Sequence, residues 1–344
     1  MKQSPPTRKT WAPKTGPRQT AKTAKQRVDE NGTVLPTVDY MDHAPMSTIF
    51  LFPALFRSLP STSKKTPLQI STAFMNSDYS HCVWQSEESL GATDQLTFAY
   101  LCQCAAFPSS QMLTPHHTIY QPHATLLGLA GFNVQPNFVA CEVDVNSIRK
   151  AIGLVSSNTF NKETVLKSLV RLSNVRMTRY AQTNRGANDM GGSRLLGFQV
   201  NDEKLVVVLN PEASQKAKER TNVVWLNMKE QRMLPSKPAQ ILHGWLSAWL
   251  PAYSGRSLKF DTLLPHIWAT TPKDSAVKKE RGRILREVIQ QIASLPGWVS
   301  KYDAETKMVY FEKPLHAGPH TKHAEPHTKS AEPHTMYAES PTTP

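Results

Sequence analysis

The sequence predicts a mainly α chain with small β wings, an α+β fold of tandem winged helix-turn-helix domains between disordered tails. Three observations carry that expectation. Two separate stretches repeat the order helix, short helix, helix, hairpin. In each, the third helix sets an apolar face against a polar or basic one. Both ends of the chain have compositions too polar to bury a core. The boundaries read from these signals are 1–45 for a basic tail, 46–215 for the first winged unit, 216–314 for the second, and 315–344 for a His/Pro repeat tail.

The N-terminal tail is rich in Pro, Lys and Thr, and residues 1–28 hold eight Lys/Arg and no acid. The first unit opens with LGATDQLTFAYLCQCAAF (90–107), a helix with Thr93 as N-cap and Leu96, Tyr100, Leu101 and Cys104 inward. NFVACEVDV (137–145) has the alternation of a strand, and SIRKAIGL (147–154) is a short helix ending near a glycine. After a turn at SSN, TFNKETVLKSLVRLSNV forms the third helix. Val165, Leu166, Leu169 and Leu172 make its packing face; Phe160, Thr164, Lys167 and Arg171 lie opposite, at i, i+4, i+7 and i+11. RMTRYAQ and GSRLLGFQV flank a polar, Gly-rich loop that reads as a wing carrying Arg179, Arg185 and Arg194. KLVVVLNP (204–211) follows as a strand.

The second unit repeats the plan. PAQILHGWLSAWL predicts a helix over 237–250, in which Trp245 and Trp249, one turn apart, read as packing residues. SLKFDTLLPHIW (257–268) reads as a helix capped by Ser257 that buries Phe260, Leu263 and Leu264. KKERGRILREVIQQIASLPGW (278–298) is the third helix, ended by Pro296-Gly297. Ile284, Leu285, Val288, Ile292 and Leu295 gather on one side with Ile289 at the edge. Lys279, Arg283, Arg286 and Gln290 fall on the other, again at i, i+4, i+7 and i+11. Lys278 and Arg281 lie nearer the packed side and suit phosphates or a structural ion pair. GWVSKYDAETKMVYFEKP (297–314) forms two strands around an Asp-Ala-Glu-Thr turn.

The charge points to the partner. A net charge of +13 over 344 residues favours a polyanion, and the excess is +5 even without residues 1–28. The candidate DNA-facing set is therefore Lys279, Arg283, Arg286, Gln290, Lys278 and Arg281 on the second unit, with Phe160, Thr164, Lys167, Arg171, Arg179, Arg185 and Arg194 on the first. Cys82, Cys102, Cys104 and Cys141 match no zinc spacing and read as reduced thiols. No apolar run spans a bilayer, no secretory h-region opens the chain, and no GxxxxGKS/T loop is present. The expectation is a cytoplasmic, non-enzymatic DNA-binding protein with no cofactor, metal, membrane or small-molecule partner. The C-terminal heptads (HAGPHTK, HAEPHTK, SAEPHTM) carry proline and no a/d pair, so they read as an extended polar tail whose histidines make no preformed metal site.

The order and wording of these segments resemble the replication protein C (RepC) family, initiators of IncQ-type plasmids. The phrases that carry the likeness are LFPALFRSL (51–59), SLGATDQLTFAYLCQCAA (89–106), SIRKAIG (147–153), LVRLSNV (169–175), LLGFQV (195–200), VVVLNP (206–211) and the run from VVWLNMKEQRML to MVYFEKP (223–314). The resemblance implies a tandem winged-helix initiator that binds direct repeats (iterons) in double-stranded origin DNA, helps open an adjacent AT-rich segment, and works beside a plasmid-encoded helicase and primase. The basic N-terminal extension, the His-Pro tail and TPHHTIYQPH (114–123) depart from the family pattern. Two rival readings stand beside it. A winged-helix transcriptional repressor would use the same fold on a palindrome. A metal-dependent rolling-circle nuclease would use Tyr120 with His116, His117 and His123, although adjacent histidines on a strand point apart.

Overall fold

The computed structural model describes residues 42–314, apart from short breaks at 53, 60–66, 74–80, 130–134, 155, 157, 184–185, 202–203, 221, 252–253 and 269–271. The C-terminal tail and residues 1–41 of the N-terminal tail lie outside the described residues. His43–Met46 is a strand with Ala44 and Met46 fully buried, although His43–Pro45 fall within the stretch expected to be tail.

Element order is β1 (His43–Met46), α1 (Thr48–Leu51), β2 (Leu68–Ala73), β3 (His81–Ser86), α2 (Ala92–Ala106), β4 (Gln111–Leu113), α3 (Tyr120–Leu127), β5 (Phe138–Asp144), α4 (Val145–Ala151), α5 (Thr159–Asn174), β6 (Arg176–Thr183), β7 (Gly186–Arg194), β8 (Leu196–Asn201), β9 (Lys204–Leu209) and α6 (Pro211–Glu219). Then follow β10 (Val224–Asn227), α7 (Met228–Met233), α8 (Lys237–Trp249), β11 (Gly255–Lys259), a 3-10 turn (Phe260–Leu263), α9 (Leu264–Trp268), α10 (Ser275–Ala293), β12 (Val299–Asp303) and β13 (Met308–Glu312).

Strand content is the main correction. The fold is mixed α/β rather than mainly α with small wings: the described strands form sheets ordered β2-β3-β6-β7, β4-β5-β9-β8, β11-β13-β12 and β1-β10. The hairpin after α5 is paired from Arg176↔Arg194 to Thr183↔Gly186, so most of the expected polar loop is strand. Its outer neighbours β3 and β2 precede α2 in sequence. GSRLLGFQV is not one strand. The chain breaks at Leu195, and β8 leaves the first sheet to pair with β9 in another.

Three further local expectations change. Gly91, not Thr93, is the N-cap of α2, and its N–H donates to Asp94 Oδ2 at 2.7 Å. Asp94 thus fills the N3 acid position of a capping box, reaching back to the N-cap N–H. Ser257 caps no helix, because Gly255–Lys259 pairs with Met308–Glu312 as a strand; Phe260, Leu263 and Leu264 are buried as expected. Leu166 on α5 is 36% exposed, while Val165, Leu169 and Leu172 are fully buried.

Two cores meet along α2 and α8. The larger gathers Phe50, Trp84, Phe98, Leu101, Leu169 and Leu209. The second gathers Leu242, Leu246, Leu263, Leu285, Ile292 and Phe311. Helix α2 is buried nearly all round, which a one-faced reading of its sequence missed. Gly244 of α8 makes the junction possible: a Cβ there would lie 2.4 Å from Gln95 Nε2. Gln95 Oε1 in turn accepts from Gln231 Nε2 at 2.6 Å. In the second core, Glu230 Oε2 accepts from Trp298 Nε1 at 3.0 Å and sits 2.9 Å from His243 Nε2. That fully buried His243 and its partners lock α7, α8 and the turn after α10 together.

Trp245 stacks on Trp249 (5.1 Å) and on His266 (4.1 Å), which agrees with a packing role. Burial holds the His266 imidazole below its ordinary 6.5. The unfolded chain therefore takes up a proton that the folded chain refuses. Stability from this site is complete above 6.5 and is lost as pH falls through the folded value. We expect the urea midpoint to fall between about pH 7 and about pH 5.5, and to fall less in His266→Phe. An equal fall in both proteins would sink this assignment.

All four cysteines are free. Burial pushes the thiols of Cys82 and Cys141 up to about 12 and that of Cys104 to about 11, so none is a nucleophile at neutral pH.

Candidate nucleic-acid interface

Helix α10 starts at its N-cap Asp274, whose Oδ1 accepts from the Ala276 N–H at 2.7 Å. It packs through Leu285, Val288, Ile289 and Ile292, with Ile284 half-buried. Ser236 at the start of α8 donates to Gln291 Oε1 at 2.6 Å, and Ser300 of β12 donates to the Ile289 carbonyl at 2.9 Å. The helix is thus pinned on its inner side. Lys279, Arg283, Arg286 and Gln290 stand exposed on the outer side.

Arg283 is not a free cation. Its Nε and Nη2 donate to Glu280 at 2.9 and 2.6 Å, and its Nη1 donates to Glu287. Hydrogen bonding to Glu280, then the charges of Glu280 and Glu287, raise the Arg283 pKa, and the same contact lowers that of Glu280. Both acids lie at helical spacing from Arg283 in the sequence, at i−3 and i+4. Lys278 lies 3.8 Å from Asp261, and the Arg281 guanidinium sits over the Trp268 ring at 5.3 Å. Burial lowers the Arg281 pKa. Lys278 is exposed, while Arg281 is half-buried.

Helix α5 begins at Asn158, whose Oδ1 accepts from the Asn161 N–H at 3.0 Å. Phe160 is 71% exposed, Thr164 donates to the Phe160 carbonyl at 2.9 Å, and Lys167 pairs with Glu163 at 3.2 Å. Arg171 has a different task from the one its spacing suggests. Its Nε and Nη2 donate to Asp94 at 3.1 and 2.7 Å, Ser168 donates to the same carboxylate at 2.6 Å, and Asp94 is 1% exposed. Burial alone would lower the Arg171 pKa, but the Asp94 contact outweighs it and the net shift is upward. Arg171 clamps α5 to α2.

On the wing, Arg179 is half-buried on β6 opposite Cys82, away from the tip. Arg185 lies outside the described residues. Arg194 is exposed at the hairpin base, directly opposite Arg176, a cation the sequence reading omitted. With Asn174 and Gly128 these two arginines line a recess of about 220 Å³. The turn between β12 and β13 is acidic: Asp303 accepts from the Glu305 N–H at 2.9 Å and from Thr306 Oγ1 at 2.6 Å, contacts that lower its pKa.

Tyr120, His117 and His123 of the nuclease alternative are otherwise engaged, and His116 is exposed. Tyr120 is 1% exposed and its hydroxyl donates to the Pro136 carbonyl at 2.8 Å. His117 Nδ1 accepts from the Thr114 N–H at 2.9 Å, and His123 Nδ1 lies 2.7 Å from the Ile119 carbonyl. Among the described residues no group of three metal-ligating side chains converges, and no helix is long and apolar enough to cross a membrane.

The family model for replication protein C (RepC) matches residues 36–311. A comparison with curated proteins finds no match. Among solved structures the chain is similar to domains 2 and 3 of RctB. A crystal structure of their selenomethionine derivatives has a TM-score of 0.49 at 9% identity, over 76% of this chain and 95% of that one. A second RctB structure of the same two domains has a TM-score of 0.42 at 9% identity, over 74% and 93%. The family match spans nearly all the described residues, and on that ground the chain belongs to the replication protein C (RepC) family, proteins of plasmid replication initiation.

Proposed function

We propose that this protein binds direct repeats in double-stranded plasmid origin DNA through two winged helix-turn-helix units, about 46–215 and 216–314, and opens the adjacent duplex for a helicase and a primase. The observation that carries this reading is the outer face of α10. Lys279, Arg283, Arg286 and Gln290 stand in one exposed row on a helix pinned from behind and followed by a β-hairpin. In this reading α10 enters the major groove, Lys278 serves a phosphate, and Arg281 positions the helix start through Trp268. Helix α5 contributes Phe160, Thr164 and Lys167 at its amino-terminal half, and Arg194 contributes from the hairpin. The protein acts in the cytoplasm and does no covalent chemistry itself.

Arg283 is the first candidate for reading a base, because a guanidinium donates two bonds to guanine O6 and N7. Footprinting on origin DNA should show protection repeated in one orientation. Protection of a single inverted repeat would favour the repressor reading instead. Arg283→Ala should weaken repeat binding about five- to a hundredfold and relax preference at one base pair. An equal loss on every single-position variant of the repeat would mean that Arg283 contacts backbone only.

A further inference from the structure

Three of the five guanidinium N–H groups of Arg283 are already taken by Glu280 and Glu287. We propose that these two glutamates are specificity-determining residues: they hold Arg283 against the helix on non-cognate DNA and release it only where a guanine offers its paired acceptors. The inference rests on α10 facing DNA.

The physical case is a contrast between ligands. A phosphate attracts Arg283 by charge alone, but the carboxylates already neutralise that charge and repel the phosphate. Guanine O6 and N7 are neutral acceptors, so the carboxylates oppose them far less. The base also matches the guanidinium fork with two directed bonds. Once released, the carboxylates face a groove whose donors are the amino groups of cytosine and adenine, which accept them only at particular sequences.

The exchange is feasible because the clamp is exposed. The side chains of Arg283, Glu280 and Glu287 are 54, 55 and 51% exposed, so water screens their pairing and a specific contact can replace it. The Arg171–Asp94 pair, with Asp94 at 1%, has no such freedom. Neighbouring Lys279 and Arg286 have no acidic partner among the described residues. They supply the affinity that does not depend on sequence, and the clamped Arg283 supplies the discrimination.

The test uses the full chain with two duplexes: one carrying a single repeat from the plasmid's own origin, the other a scramble of equal composition. Glu280→Gln/Glu287→Gln keeps side-chain size and helix propensity while removing both charges. Affinity for the scramble should rise about tenfold and affinity for the repeat less than threefold, so that preference falls. An equal rise on both duplexes would reduce the glutamates to bulk charge, and no change on either would remove them from the interface; each result overturns the proposal. Lys279→Ala/Arg286→Ala is the companion variant. If it loses repeat binding while the glutamate variant shows no loss of preference, this inference fails and the reading of α10 survives. If it binds the repeat as well as the parent, α10 does not face DNA and both fall.

Discussion

Asp94→Ala should destabilise the protein by about 3–5 kcal/mol, the cost of leaving one partner of a buried ion pair uncompensated. The carboxylate is 1% exposed and serves three donors at once: the Arg171 guanidinium, Ser168 Oγ and the Gly91 N–H. Its loss removes the cap of α2 and the bond between α2 and α5 in one step. Urea unfolding monitored by far-UV circular dichroism measures the change. Asp94→Ala/Arg171→Leu should be less destabilised than the sum of its single variants, because the stranded cation goes with the carboxylate. Additive losses, or a loss below about 1 kcal/mol for Asp94→Ala, would show that the pair contributes little. This prediction also bears on binding. Arg171 acts through the position of α5, so its replacement should lower stability before it lowers affinity.

Binding to a repeat should lose about three to five orders of magnitude between 50 and 200 mM salt, with a log–log slope of about −5 to −9. Both winged units on one duplex neutralise about six to ten phosphates and release their counterions together. The exposed cations Lys279 and Arg286 on α10, and Lys162, Lys167, Arg176 and Arg194 on the first unit, are of the right number. On the second hairpin the exposed Lys301 and Lys307 are offset by the acidic Asp303 and Glu305, so its net contribution to the slope should be small. Fluorescence anisotropy across a salt series gives the value directly. A slope of about −2 would show that one unit or the N-terminal tail alone engages.

Much of this was legible in local pattern. The apolar spacing of α10 and α5 marked their buried faces, because a helix turns at a fixed rate and its side chains have no choice of side. The family likeness was legible in ordered phrases between residues 51 and 314, within the 36–311 span of the family match. The same periodicity left charge partners open. It put both Arg171 and Arg283 on the outer faces of their helices and gave no reason to separate them.

The sequence by itself determined the buried faces of α5 and α10, Leu166 excepted, and that cations gather on their outer faces. Those properties follow from backbone geometry over a few residues. Tertiary structure decided which cations meet acids from distant parts of the chain. Arg171 meets Asp94 from 77 positions away, where the Asp94 carboxylate is buried. Arg176 and Arg194 face each other only because β6 and β7 pair in one register. Strands 68–73 and 81–86 join the hairpin across the intervening helices, and β8 departs for another sheet, choices that no alternation within a single segment encodes. Contacts that close over long chain separations depend on the whole core folding at once, so the pairing of Arg171 is a property of the fold, whereas that of Arg283 lies within its own helix.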